Sequence, residues 1–152
     1  MTKSSGSLTL DSDGIKALIP HREPFLLIDR ITALEPGVRA VGEHTFTGRE
    51  WYQPGHFPGN PIVPGVILVE SMAQTASVMA MSLPELRDGL GLFAGIEEMR
   101  FKRMVKPGDT GRFEATIEKM RRGFARVSVK TFVADEVAAE GVILAAFKKN
   151  AP

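Results

Sequence analysis

Residues 56–76 read HFPGNPIVPGVILVESMAQTA. A histidine, three prolines and two glycines fall within the first ten positions, and an apolar run carrying one carboxylate, Glu70, follows. From Pro64 to Met81 the residues Val66, Ile67, Leu68, Val69, Met72, Ala73, Ala76, Val78, Met79 and Ala80 leave no wide polar face. A helix that is apolar nearly all round is a buried one. Pro64 suits its first turn, and Pro84 lies just past its end. About 18 residues at 1.5 Å each make it about 27 Å long. A buried helix of that length needs a wrapping, and the wrapping is sought in the rest of the chain.

Downstream, Leu92 to Phe101, Phe113 to Met120, Phe124 to Val133 and Val137 to Phe147 alternate as the strands of a meander. Arg122-Gly123 and Asp135-Glu136 are predicted tight turns, and Pro107-Gly108-Asp109 marks a longer connection. Upstream, PFLLIDRI, Pro24 to Ile31, has the apolar run and turn-like flanks of a buried strand, Val38 to Phe46 forms a second, and residues 47–64 are a Gly- and Pro-rich loop. Asp11 or Asp13 caps a short helix through Ile15, Leu18 and Ile19 that Pro20 ends. Residues 1–10 are expected to be a flexible lead and residues 11–152 a single domain. The predicted class is α+β: about six antiparallel strands curved around one long helix.

With 43% hydrophobic residues in a chain of 152, a real core is within reach of one domain. Lys and Arg number 19 against 18 Asp and Glu, so nothing global argues for nucleic acid or a membrane surface, and an electrostatic partner would have to meet a local patch. The absence of cysteine excludes disulfides, a thiolate nucleophile and zinc-thiolate sites. The polar start and the lack of a long uncharged run lead to the expectation of a soluble, cytoplasmic protein with no membrane insertion.

A buried carboxylate carries a desolvation cost unless it is paired, hydrogen-bonded or protonated, so Glu70 asks for a function. Gln74 lies four residues on, on the same helix face, where its amide can hold the carboxyl group or a water. At the helix start Gly65 offers an N–H without an intrahelical acceptor, at the positive end of the dipole and with no Cβ in the way. His56, in a loop braced by Pro58, Pro61 and Pro64, has an ordinary pKa of about 6.5 and suits a base near neutrality. Taken singly each has a bland reading: a loop histidine is more often structural, and a lone buried acid is as often an ion-pair partner. Together, base, oxyanion donor and acid are the parts that remove a proton beside a carbonyl and expel a hydroxyl one carbon further on, a β-elimination of water. Five positions separate Gly65 from Glu70, about 140° around a helix. A site shared between two chains would let both serve.

The stretches GHFPGNPIVPGVILVESMAQTA, IPHREPFLLIDRI, FAGIEEMRFKRMVKPGD and EKMRRGFARV, in this order and at these spacings, strongly resemble the (3R)-hydroxyacyl-[acyl carrier protein] dehydratases of bacterial type II fatty-acid synthesis, from about Ile19 to Phe147. The resemblance implies a hotdog fold, pairing into homodimers with shared active sites, often as a trimer of dimers. It places the catalytic base on His56, the acid on Glu70 and the carbonyl-binding amide on Gly65, with His and Glu of one site from different subunits and Gln74 beside the acid. The substrate it implies is a 3-hydroxyacyl thioester on acyl carrier protein, and the product a trans-2-enoyl thioester. No cofactor and no metal are implied, and His21, His44 and His56 lack metal-ligand spacing.

Two segments depart from the family pattern. Arg49-Glu50-Trp51-Tyr52-Gln53-Pro54 replaces a segment of the Asn-Glu-Pro-Phe-Phe type, and Leu92 replaces a tyrosine associated with gating the acyl tunnel. Arg100, Lys102, Arg103 and Lys106 are predicted to form a patch that steers an acidic carrier protein. His21 and Arg22 match the family motif and are expected to be structural. The alternatives on the same fold are a thioesterase and a dehydratase-isomerase, with a non-catalytic acyl-carrier binding module as the reading outside enzymes.

Overall fold

The computed structural model describes residues 7–149. A short helix α1 (Ser12–Lys16) leads to β1 (Arg30–Glu35) and β2 (Arg39–Thr45), then comes the long helix α2 (Gly65–Met81), and β3 (Gly89–Phe101), β4 (Thr110–Arg121), β5 (Phe124–Val133) and β6 (Glu136–Lys149) complete the chain. All six strands among the described residues join one sheet in the order β1-β2-β4-β5-β6-β3, each pair antiparallel. The sheet curls around α2, which packs chiefly against β2 and β4. This is the α+β architecture predicted from the apolar run and the meander.

From Ser71 to Met81 every residue of α2 except Ala73 is buried. Met72 and Met79 have no exposed surface, and burial of a side chain of that size contributes about 1.5–3 kcal/mol. The polar residues on this helix are not orphans. Ser71 Oγ donates to Ile67 O at 2.8 Å and Thr75 Oγ1 to Ser71 O at 3.0 Å, the one-turn back-bond open to hydroxyl side chains. Close approach of helix and sheet depends on Gly42, where an added Cβ would stand 2.7 Å from Thr75 Oγ1.

Several boundaries differ from the sequence reading. Pro64 is not inside the first turn but caps it from an extended conformation, with φ −58° and ψ 137°. Residues 24–29, predicted as a strand, form no ladder, and β1 begins only at Arg30. Asp29 N–H still donates to Glu43 O of β2 at 2.7 Å, but ahead of it a side chain of α2 takes the backbone: Leu27 N–H donates to Gln74 Oε1, and Phe25 O accepts from Gln74 Nε2, both at 2.8 Å. The β5–β6 turn is Ala134-Asp135, one residue earlier than predicted, with Ala134 at φ 53°. The β4–β5 turn is Arg122-Gly123 as expected, both at positive φ.

Residues 1–6 of the predicted flexible lead lie outside the described residues. The last part of that lead is tied down: Leu8 N–H donates to Leu34 O at 3.1 Å, and Leu10 exchanges both backbone bonds with Ile31 at 2.9 Å. These residues cover the outer edge of β1, so that edge is not free to pair elsewhere. Asp11 then caps α1 by accepting from Gly14 N–H at 2.9 Å.

Candidate active site

His56 closes a single 3-10 turn, Gln53–Gly55, and begins a bend that returns at Ile62. Ile62 N–H donates to His56 O at 3.0 Å, while Phe57 and Asn60 exchange both backbone bonds at 3.1 and 2.9 Å. The imidazole Nδ1 lies 2.8 Å from Ile62 O. A carbonyl only accepts, so Nδ1 carries the hydrogen and the neutral ring keeps its lone pair on Nε2. Val63 N–H donates to Val105 O at 2.8 Å and fastens the end of this bend to the segment after β3.

Two residues further on, Gly65 opens α2, and its N–H has no acceptor within the helix. His56 and Gly65 line one open cleft of about 690 Å³ with Val66, Phe101, Lys102 and Met104. The Phe101 ring lies on Gly65, where an added Cβ would meet it at 2.9 Å. Glycine therefore lets the helix start and the Phe101 ring meet closely in the wall of the cleft.

Glu70 and Gln74 lie on another side of α2. Glu70 lines a small cavity of about 50 Å³ with His21, Ala73, Ala76, Leu92 and Phe93. Gln74 is fully buried, and its amide cannot turn over: Oε1 accepts from Leu27 N–H, and Nε2 donates to Phe25 O at 2.8 Å and to Glu70 Oε2 at 3.0 Å. Burial pushes the Glu70 pKa above the usual carboxylate range, opposed by the hydrogen bond from Gln74. His21 Nε2 stands 3.6 Å from Glu70 Oε2, and burial, with the Arg22 charge beside it, lowers the His21 pKa. Both shifts favour the uncharged forms, a carboxylic acid next to a neutral imidazole.

A single chain thus brings His56 to Gly65 and Glu70 to Gln74, but does not bring the two pairs together. The predicted carrier patch is also divided. Lys102 and Arg103 line the His56 cleft, where Lys102 pairs with Glu140 at 2.7 Å and Arg103 with Glu136 at 3.1 Å. Arg100 lines a different groove with Glu98 and Lys130, and Lys106 is exposed without lining either. Leu92 is half-exposed at the mouth of the Glu70 cavity.

Two further residues lie near the site. His21, expected to be structural, faces Glu70. Gln53 lay in the segment that departs from the family pattern, and its side chain holds the His56 bend. The readable signal was a glutamine three residues before a loop histidine, but only the fold turns it inward.

A FabA-like domain matches residues 19–142. The chain is 58% identical over 130 residues to the 3-hydroxyacyl-[acyl-carrier-protein] dehydratase FabZ of Chloroflexus aggregans, covering 86% of this chain and 90% of that one. It is 51% identical over 135 residues to the FabZ of Roseiflexus castenholzii, covering 89% and 94%. Among solved structures, the dehydratase heterocomplex ApeI:P from Xenorhabdus doucetiae has a TM-score of 0.77 at 17% identity, covering 90% of this chain and 91% of that one, a likeness of fold. The candidate residues, His56 with Gly65 and Glu70 with Gln74, thus sit in a sequence matched along most of its length, and the chain belongs to the FabA-like family, among the FabZ-type 3-hydroxyacyl-[acyl-carrier-protein] dehydratases.

Proposed function

We propose that this protein reversibly dehydrates (3R)-hydroxyacyl thioesters carried on acyl carrier protein to trans-2-enoyl thioesters, in the cytoplasm, during fatty-acid elongation. The observation that carries the reading is the 58% identity, over nine-tenths of its length, to a relative named for that reaction. In the mechanism, His56 Nε2 takes the proton from C2 while the Gly65 N–H stabilises the charge that gathers on the thioester oxygen. The C3–O bond breaks, and the hydroxyl leaves as water with the proton of Glu70. Gln74 holds Glu70 Oε2, leaving Oε1 to face the substrate. His56 ends with one proton more and Glu70 with one fewer, and exchange through solvent resets both.

Two copies complete the site. β3 pairs with β6 on one side only, so its other edge is open among the described residues. Along it Leu92, Phe93, Ile96 and Phe101 are about half exposed. A long apolar edge of this kind invites pairing. Phe101, at one end of β3, walls the His56 cleft, and Leu92 and Phe93, near the other end, wall the Glu70 cavity. Those ends are nine residues apart, about 30 Å of strand. Antiparallel pairing of β3 with a second β3 about a two-fold axis near Ile96 lays each cleft against the partner's cavity. Lys102 and Arg103 at the cleft then meet the carrier protein, and such dimers assemble further in threes.

The test is hydration run backwards: purified protein is added to a crotonoyl thioester, loss of the conjugated enoyl absorbance is followed, and the product is weighed by mass spectrometry. Gain of one water, abolished by His56→Ala, is the expected result. Release of free crotonate would identify a thioesterase. Unchanged substrate at several chain lengths and on carrier protein would identify a binding module.

A further inference from the structure

Gln53 is 3% exposed. Its Nε2 lies 2.9 Å from His56 O and 3.1 Å from Ile62 O. Both are carbonyls, so the amide nitrogen faces them and spends both its hydrogens there. Its Oε1 has no partner among the described residues, which leaves these two donated bonds as the side chain's whole hydrogen-bonding contribution. The backbone of Gln53 is held as well: its N–H donates to Glu50 O at 3.0 Å, and its carbonyl accepts from His56 N–H at 3.1 Å.

Ile62 O is the same atom that receives His56 Nδ1–H. One side chain therefore clamps the start of the bend, at His56 O, and the carbonyl that orients the ring, at its end. We propose that Gln53 is a positioning residue for His56: by fixing the Ile62 carbonyl it holds the imidazole in the Nδ1–H tautomer with Nε2 aimed into the cleft. Gln53 does not line the cleft. The inference rests on the reading of His56 as the base. Its physical content is that misplacing a reacting group by about 1 Å can cost about 10²-fold in rate: Ile62 N–H to His56 O and Val63 N–H to Val105 O tie the backbone of the bend, and the Gln53 amide adds the side-chain bond made to the Ile62 carbonyl oxygen itself.

The test is Gln53→Met, which keeps an unbranched side chain of similar length and removes both donors. In the variant kcat is expected to fall by about 10- to 100-fold with KM little changed. The ring nitrogens of His56, labelled with 15N, should change from a single Nδ1–H tautomer to a mixture, in a protein whose circular dichroism and elution volume match the wild type. Wild-type kcat, or a ring spectrum that stays a single tautomer, overturns the proposal. Should Gln53→Met not fold, the wild-type protein decides: side-chain amide hydrogens of Gln53 that exchange as fast as those of an exposed glutamine overturn it, whereas protection with a single Nδ1–H tautomer supports it. Full activity of His56→Ala would instead remove the base reading, and the ring spectra would still report on the clamp.

Discussion

Gln74 donates to Glu70 Oε2 at 3.0 Å from one turn further along α2, and the same amide satisfies the backbone of the segment lying over the helix. The amide thus joins the acid to residues 25–27, and its orientation is set by backbone partners that have no freedom to exchange roles.

Replacing it should therefore register in stability as well as in rate. Gln74→Met leaves the buried Leu27 N–H without its acceptor, at a cost of about 1–3 kcal/mol, and takes the donor from Phe25 O, in a residue that is half-exposed. Chemical denaturation should show a midpoint lowered accordingly, together with a fall in kcat. An unchanged midpoint would mean that Leu27 N–H finds another acceptor.

Glu70→Gln should lower kcat by about 10²- to 10⁴-fold, the usual range for loss of a positioned acid. It should also alter how stability depends on pH. The folded-state pKa of Glu70 is raised, chiefly by burial. A group raised in this way contributes stability that is complete below the unfolded carboxylate pKa of about 4.3 and is lost as pH rises through the folded value. Wild-type protein should therefore lose stability relative to Glu70→Gln over that window, and parallel denaturation curves at each pH would contradict the shift.

A composite site makes a quantitative statement about mixtures. His56→Ala and Glu70→Gln chains, each inactive alone, unfolded and refolded together in equal amounts, should form mixed dimers as half the population. Each mixed dimer has one intact site of two, so about one quarter of wild-type activity should return. Return of no activity, with mixed dimers present by native mass spectrometry, would place His56 and Glu70 of one site on the same chain.

Ile96 is half-exposed on the open edge of β3, close to the proposed two-fold axis. Ile96→Lys should place two like charges against each other there, a device that natural edge strands use to stay unpaired. Sedimentation should show a monomer with unchanged circular dichroism, and activity should be lost although His56, Gly65 and Glu70 are untouched. An active monomer would rule out the shared site.

The long helix and the meander were legible in the sequence, and so were His56, Gly65, Glu70 and Gln74 as candidates, because each rests on a local rule. An apolar run without a polar face must be buried, strand alternation has a period of two, and a lone acid in such a helix has to be accounted for. Even the separation of Gly65 from Glu70 around α2 followed from helix geometry. What only the tertiary structure decided involves partners distant in sequence. Residues 24–29 carry a strand-like pattern, yet Gln74, 47 residues from Leu27, binds Leu27 N–H and Phe25 O, and the segment forms no ladder. His21 gains its significance from Glu70, and Gln53 from the carbonyl of Ile62. A side-chain pattern reports which face of a segment is apolar, but the partner of a buried hydrogen-bonding group is chosen by whichever donor or acceptor the fold brings within about 3 Å.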